Sequence, residues 1–214
     1  MTRHRDQLIG LMTDELAPVS RPGTVYRQVL LWLLVSLCFA VLAMLMVAPV
    51  RPGALDQLVS APRFAGEMML GMAAIVMLTI ALFCVGIPGH PHTRRALVSG
   101  LLLLVLWVTT LAVELFYPVL PASTVGERHH CYLEVMLWSQ PMIILGAVCW
   151  QRLVVSHALL GGALLGLTSG FAVAVLMSLF CVAQPGHDLV FHMLPVLVTA
   201  LAGAAINGLM ARST

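Results

Sequence analysis

Two cysteines, Cys131 and Cys181, each stand at the end of a long apolar run, and ionisable side chains gather around both. His129 and His130 precede Cys131, and Glu134 follows it within one helical turn. His187, Asp188 and His192 follow Cys181. Thiolate and imidazole donors suit soft or borderline metals such as zinc, cadmium or copper(I). Two neighbouring thiols can instead be oxidised. The chain contains no CxxC or HExxH spacing, so chain order alone does not define a metal site. The histidines fit loop or interface positions as well as ligand roles. Glu134 fits an interhelical hydrogen bond as well as a ligand role.

The elements that must position these groups are apolar. The chain of 214 residues is 60% hydrophobic and 9% charged, against about 25% charged in soluble domains. It reads as an integral membrane protein. All eleven basic residues are arginines, and the net charge of +2 offers no basic surface for direct nucleic-acid binding. The first 27 residues are polar and the first apolar run is long enough to stay as a span, so no cleaved leader is expected.

A helix needs roughly 20 apolar residues to cross the hydrocarbon core. Six runs meet this, at about 28–48, 67–87, 96–116, 132–150, 158–180 and 189–209. They do not alternate as barrel strands would. The expectation is an all-α polytopic membrane protein: a cytoplasmic segment 1–27, then a bundle of six transmembrane helices over 28–214.

Arginine placement orients the bundle. With the N-terminus inside, Arg3, Arg5, Arg21, Arg27, Arg94, Arg95, Arg152 and Arg212 fall on the cytoplasmic side, and Arg51, Arg63 and Arg128 outside. The positive-inside rule favours this N-in/C-in arrangement. It puts Cys131 and Cys181 on the same outer face. The fourth and fifth runs, joined by the short connection 151–157, are antiparallel neighbours. Ser156, midway between the cysteines in sequence, falls in that connection, so the thiols should stand at similar heights. A disulfide needs Cα atoms about 4.4–6.8 Å apart, which the spacing permits without fixing. Free thiols facing an oxidising compartment are open to oxidation unless paired or used, and this gives the pair a redox, metal-responsive or disulfide role. Cys38, Cys84 and Cys149 read as small apolar filler.

Gly162, Gly166 and Gly170 in the fifth run, and Ala204 and Gly208 in the sixth, have the four-residue spacing that lets helices approach closely. Pro141 and Pro195 should kink their spans. Near the N-terminus, Leu8, Met12 and Leu16 repeat every four residues and Leu11 joins their stripe; Asp14 lies largely elsewhere and Pro18 ends the pattern. The stripe fits a helix on the bilayer surface or a partner-binding helix.

In order, the segment Asp14-Glu15-Leu16-Ala17-Pro18-Val19, the six spans, His130-Cys131 entering the fourth, Pro141 within it and Arg152 after it resemble the NrsF family. A glycine-rich fifth span ending at Cys181, with Phe191-His192 opening the sixth, extends the resemblance over nearly the whole chain. That family comprises membrane anti-sigma factors, negative regulators of a sigma-F-type extracytoplasmic-function (ECF) sigma factor. The resemblance implies a non-enzymatic protein of the bacterial inner membrane, with the lipid bilayer and a sigma factor as partners. The sigma factor is held at the cytoplasmic face, away from RNA polymerase. The segment carrying Leu8, Leu11, Met12, Asp14, Leu16 and Pro18 is the expected holder, with Arg94, Arg95 and Arg152 assisting. The family's outer cysteines match Cys131 and Cys181, implying a response to heavy metals or oxidants at the periplasmic face. No cofactor is obligatory; a metal such as cadmium or zinc is the signal, with His129, His130, Glu134, His187 and His192 in support. Two other readings are a membrane thiol oxidoreductase and a small metal transporter. The first lacks the adjacent cysteine pairs such enzymes use, and the second lacks ionisable groups at the span centres.

Overall fold

The computed structural model describes residues 25–118, 125–128, 130–150 and 157–210. Among them every regular element is helical: α1 (Val25–Val47), α2 (Ala54–Ser60), α3 (Pro62–Val85), α4 (Thr93–Glu114), α5 (Cys131–Trp150), α6 (Ala158–Phe180), a single turn α7 (Pro185–His187), a π-helical turn (Asp188–His192) and α8 (Met193–Met210). Helices α1, α3, α4, α5 and α6, with the continuous run from α7 into α8, are each long and apolar enough to cross a membrane. The predicted spans therefore match the observed ones in number and order, and 158–180 coincides with α6.

Each peripheral helix turns one narrow stripe inward and leaves the remainder exposed. On α1 the stripe is Val29, Trp32, Ser36, Ala40 and Met44; on α5 it is Cys131, Val135, Ser139, Met142, Gly146 and Trp150. Steps of three and four residues keep each stripe on one face of a 3.6-residue turn. Small and weakly polar residues mark the stripe because lipid tails are as apolar as a leucine core, so packing and hydrogen bonding decide what faces inward. Cys131 belongs to this stripe, which fixes its side chain toward the bundle.

Helix α3 starts five residues before the predicted run because Pro62 occupies a first-turn position, where its fixed φ suits a helix start. Helix α2 lies within the connection 49–66. It follows Gly53, whose φ of 81° is the left-handed turn that glycine adopts without strain. Seven residues of mixed polarity carry too weak a period to stand out in the sequence.

Helix α6 is the axis of the fold, buried along nearly its whole length and packed most extensively on α8. Gly162 and Gly166 abut the backbone of Gly203 and Thr199 so closely that a methyl group at either would overlap a carbonyl oxygen. The Thr199 hydroxyl donates to the carbonyl of Gly166 at 3.2 Å and to that of Val196 at 2.9 Å. The seam expected from glycine spacing is thus present, with Gly203 in place of Ala204 as the residue meeting Gly162. Gly208 contacts Leu159 instead.

At the far end from Cys131, the Trp150 indole N–H donates to the carbonyl of Leu82 at 3.2 Å. That carbonyl belongs to the last turn of α3, where helix carbonyls lack an intrahelical donor. Trp150→Phe keeps the ring and removes this bond. We expect it to cost about 1–3 kcal/mol, measured as a lowered thermal midpoint of the detergent-solubilised protein.

Candidate metal and thiol centre

Three backbone arrangements converge at one end of the bundle. Cys131 is the first residue of α5 and points inward with the buried stripe. Cys181 directly follows α6 in extended conformation, its amide donating to Met177 O at 2.7 Å. His187 and His192 flank the π turn, closed by the Met193 amide donating to Asp188 O. The turn matters because residues five apart on an α-helix point roughly 140° away from each other. Hydrogen bonds spanning five residues widen the coil and bring such residues toward one face. The two imidazole rings accordingly lie 5.2 Å apart, edge to face.

The donors meet at short range. His187 Nε2 is 3.1 Å from Cys131 Sγ and 3.4 Å from Cys181 Sγ. Taking one donor atom from each of Cys131, Cys181, His187 and His192, all lie within 4.8 Å of one another. His192 and Cys181 are fully buried and Cys131 is 1% exposed. His192 Nδ1 sits 2.8 Å from Asp188 Oδ1, about one helical turn away, without completing a hydrogen bond to it. The other ring nitrogen, Nε2, is buried with no hydrogen-bond partner.

The surroundings favour a thiolate. The Cys181 thiol is held below the usual thiol range, first by its hydrogen bond with Cys131 and then by His192 and His187, against the opposing effect of burial. The thiolate is the form that attacks oxidants and binds metals. Arg51, 5% exposed, is anchored by its amide donating to Leu179 O at 3.1 Å and by Nη2 donating to Gln57 Oε1 at 2.8 Å. Burial lowers its pKa, and the negative charges of Asp188 and Cys181 pull it back up; an arginine remains a cation throughout. Asp188 also lines a small cleft with Glu67, Glu114 and Ser178.

The expected site residues separate clearly. Cys131, Cys181, His187 and His192 come together. Glu134 does not join them: it pairs with Arg128 at 2.5 Å. Arg128 also donates to Ala48 O at 3.1 Å and lies over the Phe180 ring, so the pair ties α5 to the ends of α1 and α6. The His130 side chain is exposed, while its carbonyl accepts the amides of Leu133 and Glu134 in the first turn of α5. His129, together with Leu8, Leu11, Met12, Asp14, Leu16 and Pro18, lies outside the described residues. Asp188 and Arg51 are the members that spacing did not assign. Asp188 was accessible as an acid four residues before a histidine, a same-face helical pair. Arg51 carries no local signal, because its place depends on the loop folding back over α6.

Two thiols and two imidazoles at this spacing can bind one four-coordinate metal ion, and the two sulfurs can alternatively be oxidised. In comparisons with known proteins, the model of the NrsF family, described as negative regulator of sigma F, matches residues 12–212. No curated protein and no solved structure matches the chain.

Proposed function

The chain belongs to the NrsF family, the negative regulators of sigma F, and from that premise we propose that it is a membrane-embedded anti-sigma factor gated by the thiols Cys131 and Cys181. Its sigma factor is of the ECF type and is held at the cytoplasmic face by the segment 1–27, through Leu8, Leu11, Met12, Asp14, Leu16 and Pro18. The bundle sits N-in/C-in in a bacterial inner membrane, as the arginine distribution favours. The thiol centre then faces the periplasm, and a heavy metal or an oxidant reaching it releases the sigma factor. The protein performs no catalysis in this reading.

The observation that carries the proposal is the meeting of the two thiols, one on α5 and one at the α6–α8 connection, within a negative regulator of sigma F. A ligand shifts an equilibrium only if it favours one state over another. Bonds that draw Cys131 toward Cys181 would do so by moving α5 against the α6–α8 pair. The far end of α5 carries Trp150, seated on Leu82 and against Gly161, so the displacement reaches the opposite membrane face.

The test is co-purification of the tagged protein from membranes with and without cadmium or a thiol oxidant. A sigma factor retained without stress and lost with it is the expected result. Absence of any sigma factor in both conditions would remove the anti-sigma reading. A sigma factor retained in both would remove the gating.

A further inference from the structure

We infer that Cys131, Cys181, His187 and His192 form a closed, four-coordinate site for a divalent zinc-class ion, with Asp188 as the positioning residue for His192. The inference deepens the gating reading and takes its physiological meaning from it, while the chemistry stands on the geometry alone.

Four observations lead there. First, a tetrahedral site with metal–sulfur bonds of about 2.3 Å and metal–nitrogen bonds of about 2.0–2.1 Å places its donors roughly 3.3–3.8 Å apart. His187 Nε2 already stands 3.1 and 3.4 Å from the two sulfurs, and all four donors fit within 4.8 Å. Closure requires movement on the order of 1 Å. Second, His192 is fully buried with Nδ1 at Asp188 and Nε2 without a partner. A carboxylate on one ring nitrogen fixes the tautomer and offers the other to a metal. An orphaned buried imidazole nitrogen is costly unless something occupies it.

Third, charge selects the ion. A divalent cation with two thiolates and two neutral imidazoles is neutral. A buried site tolerates little net charge, so a monovalent ion fits less well than zinc or cadmium. Fourth, the protein supplies all four ligands from buried or half-buried positions, leaving no open coordination position. That is the pattern of a structural or sensing site rather than a catalytic one. Binding takes both sulfurs as thiolates and both imidazoles as neutral ligands, and releases whatever protons those four groups hold; no electron transfer is involved.

The test uses the purified, reduced full-length protein in detergent, titrated with cobalt(II) as a spectroscopic probe and competed with zinc and cadmium. We expect one equivalent to give the intense visible bands of tetrahedral cobalt and a near-ultraviolet sulfur-to-cobalt band, both erased by zinc or cadmium. His187→Ala and His192→Ala should each weaken cobalt binding at least ~10-fold and alter the spectrum. His192→Cys should restore tight tetrahedral binding with a stronger sulfur band, which separates lost ligation from lost folding. Asp188→Asn should weaken affinity about 10–100-fold while the spectrum stays tetrahedral. His130→Ala should change neither. No cobalt binding, a weak octahedral spectrum, or a tetrahedral spectrum indifferent to both His187→Ala and His192→Ala would overturn the assignment. Cobalt binding as described, with no release of a sigma factor by metal or by a thiol oxidant, would leave the site standing and defeat the gating reading.

Discussion

Replacing both Cys131 and Cys181 with serine is expected to reduce the transcriptional response to cadmium or a thiol oxidant to background while basal repression persists. Serine is nearly isosteric with cysteine, and His187 Nε2, 3.1 and 3.4 Å from the two sulfurs, can hydrogen-bond a hydroxyl in either place. The fold should therefore survive, and the Gly seam and the Trp150 anchor lie away from the change. What disappears is the chemistry, because a serine hydroxyl neither ionises near neutral pH nor forms a bond with another hydroxyl on oxidation. The measurement is a reporter driven by the target promoter, read with and without each stress. A double variant that still responds in full would show that the signal enters elsewhere. Either single variant should lose the oxidant response completely, since a disulfide needs both partners, and should keep only residual metal response.

The second large effect concerns stability. Gly166→Leu should prevent α6 and α8 from closing, since even a methyl group there would overlap the Thr199 carbonyl, which belongs to rigid backbone. Overpacking a well-packed core usually costs about 1–3 kcal/mol, and a clash with the Thr199–Ala200 backbone, which cannot swing aside as a side chain can, places this change at or above the top of that range. Gly66→Ala is the matched control. Nothing lies within 4 Å of the position a side chain would occupy there, and the exchange should stabilise α3 slightly. Thermal unfolding of the detergent-solubilised variants checks both. A Gly166→Leu protein as stable as the parent would mean that the seam does not hold the bundle together.

Much of this molecule could be read from its chain, for identifiable reasons. Apolar runs near 20 residues are a strong signal because they match the thickness of a bilayer core, and six in one short chain exceed what a soluble core of that size would bury. The equal height of Cys131 and Cys181 followed from counting along a helical hairpin, and it agrees with their meeting at one end. The metal donor set was less legible. Glu134 and His130 stood closer to Cys131 in sequence than His187 stood to Cys181. Sequence offers no way to know that Arg128 would claim the carboxylate or that His130 would face outward. The pairing of His187 with His192 was obscured for a different reason. Helical counting at 3.6 residues per turn separates residues five apart, and only the wider coil at Asp188–His192 reunites them.

That turn settles a conflict of phase. The helix carrying His192 must serve two masters: at one end the sulfurs, and further on the backbone of α6, where Gly203 has to land on Gly162 and Thr199 on Gly166. Each residue of slip along a regular helix rotates everything beyond it by about 100°. The extra residue held in the π turn acts as a phase shim, letting the imidazoles and the glycine seam each keep their own bearing on a single continuous rod. The centre is therefore specified by the length of the segment between Gln184 and Thr199 as much as by the identity of its ligands.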